Sequence, residues 1–498
     1  MKYRIIKRGW LWALPLVLFF TGCHDFLYRL PENTVEAESV DYSKTSEMYM
    51  PVSGVYATAR TKLSSWAAYG LISVRGDDVD KGSSPNDQIE FLYAKLFQYE
   101  DIKSFWALNS AWEGLYNLIT ISNAALESLD KYAEYITTDA DQQKYNQYTA
   151  EVRFLRAFTY FQIVNLWGNV PLLLNNQQLQ ITKAPIEDVY KYIFTELEYC
   201  ITNLPPVRPN EQTDKMGAVT RYTALALYAK ANLYRGNWDA VITATQEIIG
   251  SNKFSLYGDF YQLFKIPGKL SNESLFELQF TDFDSPSGEI VRSDEWFSSQ
   301  GPRGGDNPIQ GWGLYPPTDE IRTYFHARGE TIRDTTTFLL TNHTTPSGDF
   351  VKPGQPGEPT AYNGKAYTPS NQLTPGRNNY GDNNNIRVLR YADVLLMNAE
   401  AKIRLNQNGD APLNLVRQRA GMTSIKNATL DDVLNERRVE LALEWGNRFY
   451  DLVRTGRAAS TLKGFVAGKS EYYPIPQNQI DLNSNLAEDV APVPVEWK

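Results

Sequence analysis

Apolar residues recur every three or four positions along most of this 498-residue chain. That spacing dictates helices, each with one apolar stripe that has to be buried against a neighbour. The pattern predicts helices over Glu47–Arg60, Ser104–Lys131, Asp141–Trp167, Ile186–Asn203, Val219–Arg235, Trp238–Gly250, Arg390–Leu405, Ala411–Ala420 and Leu430–Trp445. The fold class that follows is mainly α. A composition of 42% hydrophobic and 21% charged residues supports a sizeable core and argues against bulk disorder. At about 100 to 200 residues per domain the length fits three domains or one large one.

Two stretches carry more than periodicity. Ala224, Leu225, Leu227, Tyr228, Ala231 and Leu233 lead into Gly236-Asn237, and Trp238, Ala240, Val241 and Ala244 follow. Two helices joined by a tight turn, with small residues where their axes cross, have the layout of a tetratricopeptide-like hairpin. Leu395 to Ala420 repeats it, with Ala399, Ala401 and Leu405, then Asn408-Gly409-Asp410, then Ala411, Leu413, Val416 and Arg417. The repeats have diverged, which favours a helical-hairpin scaffold over a regular solenoid. Between Phe254 and about Asn385 the chain fills with Gly, Pro, Asn, Ser and Thr, and loops with short strands are expected there. Loops held by a rigid scaffold are where ligand contacts concentrate, so this region is the first place to look for function.

The N-terminus sets the compartment. Lys2, Arg4, Lys7 and Arg8 precede an almost wholly apolar Trp10–Phe20, the layout of an export signal. The run falls short of the roughly 20 apolar residues that cross a bilayer, and Pro15 interrupts it. Phe20-Thr21-Gly22-Cys23 resembles a bacterial lipobox, with Phe20 where leucine is usual; the resemblance implies that Cys23 is lipidated and begins the mature protein. The expected organisation is a signal over residues 1–22 and a single domain over 23–498. Its helical scaffold covers about 43–253 and 386–460, and a loop-rich ligand region covers about 254–385. His24 to about Tyr42 reads as a tether.

The chain carries −9, and −13 once the four basic residues of the signal are gone, so nucleic acid is an improbable partner. With Cys23 lipidated only Cys200 remains, which excludes a disulfide framework and reads as a core residue of the helix around it.

Several segments together resemble the SusD/RagB family of outer-membrane lipoproteins. They are Ala150-Glu151-Val152-Arg153-Phe154-Leu155-Arg156-Ala157-Phe158-Thr159-Tyr160-Phe161 running on to Leu166-Trp167-Gly168-Asn169-Val170-Pro171-Leu172; Arg390-Tyr391-Ala392-Asp393-Val394-Leu395-Leu396-Met397 with Ala399-Glu400-Ala401; Asn435 to Glu444 with Arg448, Asp451, Leu452, Arg454 and Gly456; and Tyr473-Pro474-Ile475-Pro476 with Asn483 and Asn485. Leu486 onward departs from the family's usual ending, so the tail is expected to pack in its own way. Physically these motifs look structural. Glu436, Arg437, Arg438 and Glu440 alternate in sign on one helix, Arg448, Asp451 and Arg454 are spaced to pair, and Tyr160, Phe161 and Trp167 fall at core spacing. The resemblance implies a surface-exposed, lipid-anchored protein of a Bacteroidetes-type outer membrane. Such a protein captures nutrient and sits as a lid over a SusC-like TonB-dependent transporter.

Enzymatic signatures are missing: there is no zinc His-Glu-x-x-His, no phosphate-cradling loop and no nucleophile elbow, and only His24, His326 and His343 occur. No cofactor or metal is expected, and Asp77, Asp78 and Asp80 read as a polar loop before they read as a catalytic pair. Binding is better supported, because 31 Tyr and 11 Trp include several in loops where helix packing does not explain them. Flat rings stack on the C–H faces of sugars while amides, carboxylates and guanidinium groups bond the hydroxyls. In the resembling family an aromatic in the Gly311–Tyr315 stretch can lie under a glycan, which makes Trp312 the first choice, followed by Trp296, Tyr315 and Arg303. The glycines beside Trp312 and Pro316-Pro317 suit a packed loop plug equally. Arg75, Asp77, Asp78 and Lys81 form a second candidate loop; Tyr99 and Trp106 rank lower, because both fit the core of the helix that follows. The function expected is capture of oligosaccharide, with a peptide-binding lid and a glycoside hydrolase as alternatives, and a scaffold that binds no small ligand behind them. Replacing Cys23 by alanine is expected to move the protein from the membrane fraction to the soluble one with its circular dichroism unchanged; loss of folding would contradict the anchor reading.

Overall fold

The computed structural model describes residues 40–284, 295–303, 309–354, 357–377 and 380–495. The export signal, Cys23 and the tether as far as residue 39 lie outside the described residues, as do four short pieces of the loop-rich region. Helices α1 (Tyr49–Leu63), α2 (Trp66–Ser73) and α3 (Glu90–Lys95) lead to three long ones, α4 (Trp106–Ala133), α5 (Asp139–Trp167) and α6 (Ile186–Asn203). The predicted hairpin follows as α7 (Arg221–Arg235) and α8 (Trp238–Gly250). Short helices α9 (Phe260–Leu263), α10 (Trp296–Gln300), α11 (Asp319–Arg328) and α12 (Ile332–Thr337) occupy the loop-rich region. Then come α13 (Tyr391–Arg404), α14 (Asp410–Arg419), α15 (Leu430–Glu440), α16 (Asn447–Arg454), α17 (Ala458–Thr461) and α18 (Gln477–Leu482).

Each scaffold helix packs on its sequence neighbour, α4 on α5, α5 on α6, α6 on α7 and α7 on α8; α13 then packs on α8, although about 140 residues separate the two in sequence. The two hairpins read from the sequence are therefore stacked in space, and the fold is mainly α with tetratricopeptide-like helical hairpins. Side-chain caps set several starts: Thr138 accepts from Asp141 N–H, and Thr220 and Thr429 each close a capping box with the residue three further on.

Strands are few and short. β1 (Val170–Pro171) pairs with β2 (Lys183–Ala184), β3 (Ser274–Leu278) with β8 (Ile386–Arg390), β4 (Phe338–Leu340) with β7 (Ala361–Asn363), and β5 (His343–Thr344) with β6 (Phe350–Val351), all antiparallel. The β3–β8 ladder is what makes the long excursion affordable. It pins the exit of the first hairpin to the entry of the second, so residues 279–385 leave and return at one place. The C-terminal tail packs along β2, where Val493 N–H donates to the Lys183 carbonyl at 2.7 Å.

Two expectations are corrected. The stretch Leu430–Trp445 is not one helix: α15 stops at Glu440, Leu443 turns to φ +61°, and its carbonyl accepts from Tyr69 Oη and Asn363 Nδ2, both at 2.9 Å. The loop-rich region also contains helices, of 4 to 10 residues, too short to display a period. Cys200 is the core residue expected. It is fully buried, its Sγ–H donates to the Ala150 carbonyl at 3.1 Å, and burial pushes its thiol well above the usual range.

The charged motifs fold inward. Arg390 meets Glu273, Glu440 and Glu444 at 2.5, 3.0 and 2.7 Å; Arg333 meets Glu330, Glu436 and Glu440 at 2.7, 2.6 and 3.3 Å; Arg419 bridges Glu273 and Glu440 at 2.9 and 2.5 Å. A second group joins Arg437 to Asp393 and Asp451 at 2.7 and 2.9 Å, with Lys230 on Asp393 and Arg454 on Asp451 and Glu400. Of the pairing read for Arg448, Asp451 and Arg454, only Asp451 with Arg454 forms, because Arg448 turns to Asp77. Burial alone would raise the Glu440 carboxyl, yet Arg419, Arg390 and Arg333 hold it at about 2 against an ordinary 4.5.

Folding therefore favours charged Glu440. Its contribution, about 3 kcal/mol, is complete above pH 4.5 and fades as pH falls toward 2. Chemical denaturation at stepped pH should show stability dropping below about pH 4.5. A Glu440→Gln variant should lose much of that slope, and an unchanged slope would remove Glu440 from the account.

Candidate functional site

Residues 78–83 run antiparallel beside residues 313–318. Val79 pairs with Pro317 and Gly82 with Leu314, Ser83 N–H donates to Gly313 C=O at 2.7 Å, and Thr318 N–H donates to Asp78 C=O at 3.0 Å. The two loops singled out from the sequence are thus one surface feature. On its other side the second loop is tied to α10 and the residues after it: Trp312 N–H donates to Ser298 C=O at 2.8 Å and Gly313 N–H to Gly301 C=O at 2.9 Å. A Cβ on Gly311 would lie 2.5 Å from the Gly301 backbone, and Gly313 sits at φ +71°, so both glycines are needed to hold Trp312 where it is.

Trp312 is half-buried and stands edge-on to Trp66, with ring centroids 5.3 Å apart; Trp66 in turn lies 5.4 Å from Trp106. The three indoles form a row from three separate segments. Trp66 is the first residue of α2, behind the N-cap Ser65, and Trp106 is the first residue of α4. A side chain there projects past the start of the helix and meets the loops. Trp106 is 47% exposed, a large indole left open to solvent, and its Nε1–H donates to Gln88 Oε1 at 3.0 Å. The ring planes turn by 57° and 88° along the row, so the surface is bent.

Polar groups border it. Arg303, with its side chain 41% exposed, donates from Nη1 to Ser83 Oγ and to Glu358 Oε1, each at 3.2 Å. The Lys81 ammonium is turned inward, donating to the carbonyls of Gly82, Ser84 and Asp87 at 2.8, 2.8 and 2.6 Å, and burial lowers its pKa. It shapes the 82–87 turn and is not free to meet a ligand.

The other sequence candidates are interior. Trp296 is 5% exposed between Tyr69 and Trp445, with centroids at 4.3 and 5.2 Å. Tyr315 is fully buried, edge-on to Tyr69 and Phe91. Arg75 is fully buried, its guanidinium 4.1 Å from the Phe449 ring centroid and 4.4 Å from that of Tyr473, and it donates to Glu471 C=O at 3.1 Å. Asp77 and Asp78 are taken by Arg438 at 3.0 and 2.8 Å, and Asp77 also by Arg448 at 2.7 Å. Burial works against charged Asp77, but the Arg448 hydrogen bond and the two guanidinium charges hold its pKa down; burial raises that of Asp78. These five side chains build the floor under the site, because each already has its contacts within the fold. Tyr99 is half-buried and donates to Ser470 C=O at 2.9 Å.

Trp66 was not singled out by sequence reasoning, and Trp106 ranked low among the candidates because it also fits a helix core. The available signal is position: a tryptophan directly after Ser64-Ser65, or after Ser104-Phe105, begins a helix and so is aimed at its end. His326 and His343 are exposed, His326 with Asp334 at 3.4 Å, and among the described residues no group of three or more His, Cys, Asp or Glu is placed to hold a metal ion. No described helix is long and apolar enough to cross a membrane.

Comparison with known proteins bears on the family and the fold. The SusD family model matches residues 358–471, and a model described as starch-binding, associating with the outer membrane, matches residues 82–234. A SusD-like protein of Bacteroides ovatus is 27% identical over 476 residues, covering 88% of this chain and 80% of its own. Among solved structures, a laminarin-binding SusD-like protein superposes with a TM-score of 0.75 at 27% identity, covering 87% of this chain and 97% of its own. Surface glycan-binding protein A from Bacteroides thetaiotaomicron, in complex with laminarihexaose, gives 0.72 at 26% identity, covering 89% and 98%.

Proposed function

Because the chain belongs to the SusD/RagB family, we propose that it captures oligosaccharide at the cell surface without covalent chemistry and passes it to a SusC-like TonB-dependent transporter in the outer membrane. The observation that carries this reading is the row Trp106–Trp66–Trp312, three indoles converging from separate segments with part of their surface left open. Such surface is costly to expose unless a ligand covers it. Sugar rings offer the flat C–H faces that indoles stack on, and Arg303 and Gln88 supply hydrogen bonds to hydroxyls at the edge of the row. No step of capture calls for a nucleophile or a metal, and the likeness to proteins named for laminarin and laminarihexaose binding supports a glucan-type ligand. Lipidation at Cys23 would hold the domain at the membrane, and a second acyl chain adds the affinity that a single one lacks.

Calorimetric titration with laminarihexaose and with oligopeptides of similar length tests the reading. Saccharide should bind and peptide should not; the reverse would install the peptide-binding lid. Trp106→Ala and Trp312→Ala should each weaken saccharide binding tenfold or more, about 1.4 kcal/mol, with the thermal midpoint nearly unchanged. Trp296→Ala should do the opposite, destabilising the fold by about 3 to 5 kcal/mol because its ring fills the core. If Trp312→Ala leaves affinity intact, the row is not the site.

A further inference from the structure

A second concave feature lies between α1, α5, the end of β3 and the loop 214–218. It is a cavity of about 330 Å³, inside the range of roughly 300–1,000 Å³ typical of small-molecule sites. Tyr49, Tyr56 and Arg60 of α1 form one wall and Phe276 and Gln279 the other, with Lys215 at the rim. The loop is strapped tightly over this wall: the Gln279 amide donates to Met216 C=O at 3.0 Å, and Gly217, at φ +88°, approaches so closely that a Cβ there would overlap that amide. Rim and wall are therefore preformed.

The charges in the cavity differ in how they are balanced. Lys215 sits over the Tyr49 and Tyr148 rings at 4.3 and 4.0 Å and lies 3.7 Å from buried Glu151. Glu277 is held by Leu270 N–H and Asn385 Nδ2. Asp214 also lines the cavity. Arg60 alone of the lining cations is left over. Among the described residues its side chain has no hydrogen bond, ion pair or ring contact, and its Nε is sealed from solvent with no acceptor. Desolvation lowers its pKa with no opposing carboxylate. Most buried arginines of this protein are matched by carboxylates, often several each, and fully buried Arg75 is held by aromatic rings and a backbone carbonyl; half-buried Arg60 has neither kind of partner, so its guanidinium is open to an anion entering the cavity.

We propose that this cavity is a second ligand site, taking an anionic sugar unit whose carboxylate or sulfate meets the Arg60 guanidinium while its ring lies against Tyr49, Tyr56 and Phe276. Guanidinium suits both anions because its N–H groups form a planar fork. The cavity lining shares no residue with the tryptophan row. A protein with both would hold a charged polysaccharide at two places along its length, raising its hold through effective concentration.

The test is ligand-observed NMR titration of the full-length protein with sodium D-glucuronate, D-glucose 6-sulfate and neutral D-glucose, with sodium acetate and sodium sulfate as ring-free controls. At least one anionic sugar should bind ten times more tightly than glucose and than its ring-free control, and which one binds tells carboxylate from sulfate. Arg60→Met should abolish that difference, with a thermal midpoint no lower than that of the parent protein and unchanged laminarihexaose affinity, since among the described residues Arg60 has no polar partner in the fold. Three results would overturn the proposal: no preference for either anionic sugar, equal binding of the ring-free anions, or full binding by Arg60→Met. Loss of laminarihexaose binding in Trp312→Ala with glucuronate binding kept would separate the two sites.

Discussion

Everything else in the structure follows from one network in which the side chains of Arg390, Arg333, Arg419, Glu273, Glu436 and Glu440 are buried together. Taking such charges out of water costs several kcal/mol each, and the cost is recovered only if every partner is in place with good geometry. The partners come from distant parts of the chain: Glu273 precedes β3, Arg333 belongs to α12, Arg390 ends β8, Arg419 ends α14, and Glu436 and Glu440 lie on α15. A network of this kind contributes little net stability, but it penalises every arrangement in which the loop-rich excursion is not docked on the second hairpin. Placement of that excursion is therefore an electrostatic matter as much as an apolar one.

The aromatic row inherits its geometry from this docking. Arg438 and Arg448, on α15 and α16, hold Asp77 and Asp78, and Asp78 begins the run that pairs with residues 313–318. A chain of contacts thus leads from the second hairpin through the Asp77 loop to Trp312. Arg75, clasped among Phe449, Tyr450 and Tyr473, fixes the end of α2, whose first residue is Trp66. Residues that resemble sugar contacts by composition serve here as the supports that keep the indoles still. A preorganised platform loses less entropy when a saccharide settles on it.

What could be read from the sequence divides along the range of the interactions concerned. Ile186–Asn203 and Trp238–Gly250 were legible to the residue, because a helix of 13 residues or more repeats its apolar stripe several times. The family was legible from motifs that the structure shows to be buried charge and core, such as Glu436, Arg437 and Tyr160. The candidate site was legible only in part. Trp312 and Arg303 are partly open, while Trp296 and Tyr315, a few residues away with the same chemistry, are not. Exposure is decided by partners such as Tyr69 and Trp445, well over a hundred positions distant, and no local pattern reports them. For the same reason Trp66 passed unnoticed: its role comes from the loops brought to the ends of α2 and α4.

The same long-range logic separates the two concave features. At the tryptophan row Lys81, Asp77 and Asp78 are drawn inward onto partners within the fold and Arg303 is partly open, which leaves a surface suited to a neutral ring. In the cavity beside α1 the apolar walls are similar, yet Arg60 is left without a counter-charge. Burial by itself would favour replacing such a cation with a neutral residue of equal length, because an unpaired guanidinium contributes nothing to packing that methionine could not. Its presence opposite Phe276 and Gln279 is therefore best understood as half of an ion pair whose other half arrives with the ligand.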